Sequence, residues 1–555
     1  MSKPILLTVD DDPQVLRAVV RDVRKRYGKE FRILRADSGE AALEALEELR
    51  QRDQPVALIL SDFRMPGMSG VELLTRARGL HPNAKRVLLT AYADTEAAIG
   101  AINESRLDYY LLKPWDPPED ALYPVLDDLL GDWRASYRPG YGGLRVVGSR
   151  WSPACHEMRD FLARNLVPYR YLEFETSEEA KMLAREAMEE TGAAAHSEVL
   201  PLAVLEDGRR LTQPNTSSVA EAVGFRIRAE QDFYDVAIVG GGPAGLAAAV
   251  YAASEGLRTV LLEREAPGGQ AGTSSRIENY LGFPTGLSGA DLAHRALTQA
   301  RRFGVEVLTP VEVTNLKVDG RYRRLELKDG GTISSHIVML SSGVAWRRLP
   351  AQGAEELAGR GVYYGASLTE ARLFEGQHVF VVGAGNSAGQ AAMHFADWAS
   401  KVTMLIRGDS LGAKMSNYLV ERIEASDVID VRLGTQIAAC HGEDHLEALT
   451  LKTQNGEERH ETQAVFIFIG AAPRTDWLEG IVARDERGFL LTGADLTSET
   501  LDGWPLERQP YLLETNIPGV FAAGDVRHQS IKRVASAVGE GSVSVHFMHR
   551  HLASL

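Results

Sequence analysis

The chain has 555 residues, 44% hydrophobic and 25% charged, an ordinary globular composition in a length that exceeds one core and suggests about three or four domains. Its 61 Lys and Arg against 76 Asp and Glu give a formal charge of −15, which disfavours nucleic acid or an anionic membrane surface as a partner, since both require a basic face. No apolar run approaches the ~20 residues that cross a bilayer. The run Ile5-Leu6-Leu7 is too short for a secretory signal and is soon cut by acids, so a cytoplasmic protein without a membrane partner is expected. The two cysteines, Cys155 and Cys440, form no Cys-x-x-Cys motif, so neither a disulfide framework nor a vicinal dithiol relay is expected.

Residues 1–130 alternate apolar runs (5–9, 56–60, 86–89 and 109–112) with amphipathic stretches, which predicts a parallel sheet covered by helices. Asp10-Asp11-Asp12 follow the first run, Asp62 the second, Thr90 the third and Lys113 the fourth. Four strand ends therefore bring acids, a hydroxyl and an ammonium to the carboxyl edge of the sheet, where such folds bind ligands. Clustered carboxylates suit a hard cation such as Mg²⁺, which offsets charge when a carboxylate attacks a phosphoryl group. The stretch Leu60-Ser61-Asp62-Phe63-Arg64-Met65-Pro66-Gly67-Met68-Ser69-Gly70, together with Lys113-Pro114-Trp115, resembles a response-regulator receiver domain. The resemblance implies that Asp62 is the phosphoacceptor and that Asp10, Asp11 and Asp62 hold Mg²⁺. It further implies phosphate sensing by Thr90 and Lys113, Tyr110 as a switch aromatic, a cis Lys113–Pro114 bond, and a histidine kinase or other phosphodonor as partner. For Tyr110 a plain packing role is equally open.

Residues 131–143, rich in Gly, Pro, Tyr and Arg from Trp133 onward, read as a linker. In residues 144–226 a strand at 145–148 leads to Trp151-Ser152-Pro153-Ala154-Cys155 at a helix start, and Glu206-Asp207-Gly208 gives a turn after a second strand. The order resembles a thioredoxin or glutaredoxin fold, with Pro201 at the position of that family's cis-proline. Ser152 stands where the family has its nucleophilic cysteine, and only Cys155, at the resolving position, remains. Dithiol exchange is not expected; Cys155 reads as buried and inert, and the unit as a docking or spacing element.

From Tyr234 onward two glycine-rich turns appear. The strand at 234–239, Gly240-Gly241-Gly242-Pro243-Ala244-Gly245, a helix at 246–254, and a strand ending in Glu263 together give a strong dinucleotide signal. The glycines admit a pyrophosphate at the helix N-terminus and Glu263 suits a ribose hydroxyl. The pattern recurs at 378–382 with Gly383-Ala384-Gly385-Asn386-Ser387-Ala388, but the next strand runs into Arg407, which suits a 2′-phosphate and favours NADPH. Gly268-Gly269-Gln270, Ile277-Glu278-Asn279-Tyr280, Gly282-Phe283-Pro284 and Phe521-Ala522-Ala523-Gly524-Asp525-Val526 are similar to the FAD-contacting segments of thioredoxin reductase. The resemblance implies FAD held by Gly240, Gly242, Gly245, Glu263, Gln270, Asn279, Asp525, Val534 and Ala535, and NADPH held by Gly383, Gly385, Ala388, Arg407 and Lys414. It also locates two departures. Gly365 and Leu368 stand at the family's redox cysteine positions, and its His-Arg-Arg motif reads Ile406-Arg407-Gly408-Asp409. His546, His549 and His551 read as the wet face of a terminal helix, since no cysteine or acid nearby completes a metal set.

The expected fold class is therefore multidomain α/β. A receiver (flavodoxin-like) domain at 1–130 precedes a thioredoxin-like domain at 144–226. An FAD-binding domain follows, split between 233–353 and 470–555, with an NAD(P)H-binding domain at 354–469 between its halves. The expected activity is that of a phosphorylation-regulated FAD-dependent NAD(P)H oxidoreductase, a homodimer passing electrons to an external acceptor. The alternative is a redox-sensing signalling protein with little turnover.

Overall fold

The computed structural model describes residues 3–52, 54–90, 107–137, 143–274, 276–284, 286–365, 372–413 and 415–555, and the chain forms two compact units, Met1–Gly142 and Gly143–Leu555.

In the first unit, β1 (Ile5–Val9), α1 (Pro13–Tyr27), β2 (Arg32–Ala36), α2 (Gly39–Gln51), β3 (Val56–Asp62), α3 (Gly70–Leu80), β4 (Lys85–Thr90), β5 (Tyr109–Leu112) and α4 (Leu122–Ser136) follow in order. The strands pair in parallel in the order β2-β1-β3-β4-β5. Strand β3 is buried along its whole length, as a central strand covered on both faces must be. Leu58 and Leu60 face the side of α4 and Ile59 the side of α2 and α3, the period-two alternation of a strand. Side-chain caps fix the helix starts: Asp12 accepts from Gln14 N, Ser38 from Ala41 N and Ser69 from Glu72 N. The linker expected from residue 131 is corrected at its start. Helix α4 runs on to Ser136, because Leu126, Leu129, Leu130 and Trp133 form a buried helical stripe.

The second unit opens with β6 (Arg145–Gly148), α5 (Pro153–Arg164), β7 (Arg170–Glu173), α6 (Glu178–Thr191), β8 (Leu202–Val204), β9 (Arg210–Thr212) and α7 (Thr216–Ala222). The sheet order is β7-β6-β8-β9, with only β6 and β7 parallel. The Leu200–Pro201 peptide is cis, as is Lys113–Pro114 in the first unit.

A mixed sheet comes next. β10 (Phe233–Val239) carries α8 (Pro243–Ser254) and pairs with β11 (Thr259–Leu262). α9 (Gly289–Arg302) leads to β12 (Glu306–Leu308), followed by β13 (Val313–Asp319), β14 (Tyr322–Leu327) and β15 (Thr332–Leu340). The order is β12-β11-β10-β15-β14-β13. After β16 (Val344–Trp346) the chain enters a second sheet-and-helix unit. β17 (Val362–Tyr364), β18 (His378–Val382), α10 (Asn386–Ala396), β19 (Lys401–Leu405), α11 (Asn417–Glu424) and β20 (Ile429–Arg432) precede a three-stranded meander, β21 (Gln436–His441), β22 (Ala448–Thr453) and β23 (Gly456–Glu461). β24 (Val465–Ile467) closes a parallel sheet of order β17-β24-β18-β19-β20. The chain returns through β25 (Ala471–Pro473), which pairs antiparallel with β16. β26 (Val520–Ala522) then adds to β15 of the first sheet, and α12 (Val534–Leu552) ends the fold. Helices α8 and α12 cross closely at a glycine: a Cβ on Gly541 would stand 2.2 Å from the Ala244 carbonyl oxygen. No helix among the described residues is long and apolar enough to cross a membrane.

The wet histidine face expected on the last helix is corrected for one member. His546 is exposed and His549 half-buried, but His551 is buried against the Arg508–Glu514 ion pair. Burial lowers its pKa from 6.5 to about 4; Glu514 opposes the shift, while Arg508, Arg323 and His336 add to it. Between those two values the unfolded chain binds the extra proton, so stability falls as pH drops from about 6.5 toward about 4. The melting temperature of the second unit should fall across that window, and His551→Gln should flatten that part of the slope.

Candidate functional site

The first glycine turn is built by backbone packed on backbone. Gly240 follows β10 at φ +103, and a Cβ there would stand 2.4 Å from the Ser341 carbonyl oxygen; a Cβ on Gly245 would stand 1.9 Å from the Gly240 carbonyl oxygen. No side chain fits at either position, so the chain can turn directly into α8. Gly242 is the N-cap of α8, Pro243 fills the first helical position, and no side chain caps the helix. Its first amides are therefore left for an anionic group. Glu263, just past β11, is buried and accepts from Gly241 N at 2.6 Å and Glu265 N at 2.7 Å. Burial raises its pKa, with the two backbone donors opposing the shift. A carboxylate has about four lone-pair sites, which leaves room for a hydroxyl donor.

Gly524 brings the Asp525 loop to the same place, since its Cβ position lies 3.0 Å from the Ala244 Cβ at the start of α8. Asp525 is half-buried and its pKa is raised, first by burial, with Lys532 opposing and Glu540 adding. Gln270 donates to the Val344 carbonyl at 2.8 Å, and Val534 begins α12. Asn279 and Ala535 are exposed.

The second turn repeats the geometry. Gly383 has φ +141, and a Cβ there would stand 2.5 Å from the Phe468 carbonyl oxygen; Gly385 is the N-cap of α10 and no side chain caps that helix. Ala388 is buried on α10, and Arg407 is exposed two residues past β19. Lys414 and Leu368 lie outside the described residues. Gly365 is described: its φ is +89, and a Cβ there would stand 2.8 Å from the Trp346 indole nitrogen. The indole thus occupies the space a larger residue at 365 would need.

Both thiols are buried. Burial pushes the Cys155 thiol up to about 11, with Arg159 and Tyr171 opposing, and the Cys440 thiol up to about 12. Ser152 is the N-cap of α5, its Oγ accepting from the Cys155 amide at 3.3 Å.

In the first unit, the strand ends bring Asp10, Asp62, Thr90 and Lys113 to one rim. The Lys113 ammonium donates to Asp10 at 2.7 Å and to Asp62. Asp10 also accepts from Asp12 N and Asp62 from Arg64 N, each at 3.0 Å. Burial raises the Asp10 pKa despite Lys113; burial also disfavours the charged Lys113, but hydrogen bonds and charge from Asp10 and Asp62 outweigh it and raise its pKa. Thr90 is buried, Asp11 exposed, and Tyr110 exposed and stacked on Tyr109 at 6.0 Å. Among the described residues no three acid, His or Cys side chains form a cluster ready to hold a metal, and Lys113 bridges the two buried acids.

Glu265 was not legible in sequence as a site residue. Arg164, Arg264 and Arg474 each reach its carboxylate at 2.8 Å. Burial opposes ionisation, but the three guanidinium groups outweigh it and hold the carboxyl far below its ordinary range. Only its place two residues beyond Glu263 marks it, because Arg164 and Arg474 are distant in sequence.

Comparison with known proteins gives two family matches: residues 234–541 match the pyridine nucleotide-disulphide oxidoreductases, and residues 6–121 match the response regulator receiver domain. Thioredoxin reductase of Bacillus subtilis is 31% identical over 329 residues, covering 59% of this chain and 97% of the relative. That of Peptoclostridium acidaminophilum is 32% identical over 322 residues, covering 57% and 95%. Among solved structures, thioredoxin reductase from Lactococcus lactis aligns with a TM-score of 0.51 and 27% identity over 58% of this chain and 100% of that one. The T. acidophilum enzyme aligns with a TM-score of 0.51 and 29% identity over 58% and 99%.

Buried thiols with raised pKa stay protonated and shielded at pH 8. An aromatic disulfide reagent should therefore titrate almost no thiol in the folded chain and two after denaturation. Rapid reaction of the native protein would contradict the burial of Cys155 and Cys440.

Proposed function

Because the chain belongs to the pyridine nucleotide-disulphide oxidoreductase family, we propose that it is an FAD-dependent NAD(P)H oxidoreductase that delivers electrons to an external acceptor rather than to thiols of its own. The observation that carries this reading is the pairing of two glycine turns shaped for nucleotides with a chain whose two cysteines are both buried and weakly acidic. The oxidoreductase half is fused to a receiver domain, which supports phosphorylation as its control.

The residues present fit both nucleotides. Gly240, Gly242 and Gly245 leave backbone amides for the FAD pyrophosphate, Glu263 accepts a ribose hydroxyl, and Gln270, Asn279, Asp525, Val534 and Ala535 serve the flavin half. Gly383, Gly385 and Ala388 leave the same kind of space for NADPH, with Arg407 and Lys414 for its 2′-phosphate. When bound, FAD supplies the hydride-accepting chemistry. The protein's own contribution is to hold the two nucleotides and leave no thiol as the next carrier. The Trp346 indole beside Gly365 supports that last point, since it stands where a cysteine side chain would have to go. A homodimer in the cytoplasm belongs to the same reading.

For the receiver unit, Asp62 takes a phosphoryl group from a histidine kinase or other phosphodonor. Its carboxylate oxygen forms the new P–O bond as the donor's bond to phosphorus breaks. Mg²⁺ would be held by Asp10, Asp11 and Asp62, an oxygen donor set of the right chemistry, once Lys113 releases its bridge. Lys113 and Thr90 would then serve the phosphoryl oxygens, and Tyr110 would report their movement.

Anaerobic titration of the FAD-loaded protein with NADPH, then NADH, should bleach the flavin, with NADPH the more effective. An acceptor panel of quinones, oxygen, ferredoxin-like carriers and disulfides should then restore its colour with at least one member. A flavin left oxidised by both nucleotides would sink the reading. Slow return with every acceptor would instead favour a redox sensor. Gly245→Ala should weaken FAD binding by at least about tenfold, or about 1.4 kcal/mol, by placing a methyl group against the Gly240 carbonyl. Under a small-molecule phosphodonor, Asp62→Ala should lose the change in flavin reduction rate that the native chain displays.

A further inference from the structure

Helix α5 of the middle unit touches both nucleotide units, one at each end. In the turn that leads into its N-terminal end, Arg150 donates to the Leu373 carbonyl and lies over the Phe374 ring at 4.9 Å. Trp151 stacks on His445 at 4.3 Å, and the His156 ring lies 5.1 Å from that of Tyr363. All four partners belong to the segment carrying the second glycine turn. At the C-terminal end, Arg164 pairs with Glu265 at 2.8 Å and reaches the Gly269 carbonyl at 3.4 Å, while Asn165 donates to the Glu265 carbonyl at 3.1 Å. These partners belong to the loop that follows Glu263. The Glu265 amide donates to Glu263, and Glu263 in turn accepts from Gly241 of the first glycine turn. Arg164 is thus three links from the nucleotide cradle. The 12 residues of α5 span about 18 Å at 1.5 Å per residue.

We propose that α5 is a strut that fixes the two nucleotide-binding units relative to each other, with Arg164 the positioning residue for the loop beside the first cradle. A helix with its backbone hydrogen bonds intact resists extension and bending. A contact at one end therefore sets the position of what is held at the other. The β16–β25 ladder that links the units is short, three residues on each strand. The contacts at the two ends of α5 differ in kind. The N-terminal end is largely ring stacking with one hydrogen bond to a carbonyl. The C-terminal end is an ion pair shared with Arg264 and Arg474. Removing Arg164 therefore leaves Glu265 with two cationic partners and does not strand a buried charge.

The test has two arms. In the first, spin labels on Tyr251→Cys and Leu433→Cys, both exposed and one on each nucleotide unit, report the distance between the units. The buried native thiols remain unlabelled. The native background should give a narrow distribution, and Arg164→Met and the double change Arg150→Met with Trp151→Ala should each broaden it, since the strut fails when the main contacts at either end are removed. An unchanged distribution in either variant would overturn the proposal. The second arm rests on the flavin reading above. Arg164→Met should weaken FAD binding by about tenfold, as loss of a hydrogen-bonded charged group does, with partial rescue by Arg164→Lys. Equal FAD affinity in native and Arg164→Met protein would remove the positioning role. A native protein that takes up no FAD would sink the flavin reading but leave the distance arm decisive.

Discussion

The nucleotide-handling half of this protein depends on one steric constraint. At the end of β10 the backbone passes so close to itself that Gly245 meets the Gly240 carbonyl and Gly240 meets the Ser341 carbonyl, at separations no Cβ tolerates. That contact lets the strand turn at once into α8 and leaves the helix without a side-chain cap. Gly383 against the Phe468 carbonyl repeats the arrangement. The two cradles are thus independent solutions of one problem, each at the carboxyl end of a buried parallel strand.

Around those cradles, the positions a thiol relay would use are taken up by packing and a helix cap. Ser152 caps α5 through the amide of Cys155, so the serine helps to start the helix. Cys155 itself faces the core of the middle unit. Gly365 is held at positive φ under the Trp346 indole. The middle unit is joined to the two nucleotide units by guanidinium groups and stacked rings.

Much of this was legible in the sequence because local rules dominate at those places. Acids, Thr90 and Lys113 follow apolar runs, so a parallel sheet must bring them to one edge. The glycine turns read directly, since only glycine satisfies the contacts they make. The cis peptides at Pro114 and Pro201 agree with the resemblances that implied them. What was not legible depends on long-range partners. Glu265 meets Arg164 across 101 residues and Arg474 across 209. His551 looks like part of a polar helix face until Arg508 and Glu514 cover it. Helix α4 continues into a stretch whose Gly, Pro and Tyr content suggested a linker, because Trp133 is buried in the core of the first unit. The Lys113 bridge between Asp10 and Asp62 is likewise a property of three strand ends together and of none alone.

The central claim is that the flavin is the last redox centre this chain provides. Counting reducing equivalents tests it most directly. An anaerobic titration with dithionite, followed by flavin absorbance, should reach full reduction at about two electrons per bound flavin, since the flavin alone takes up a hydride equivalent. An endpoint near four electrons per flavin would mean that a second two-electron centre accompanies it, and would contradict the account.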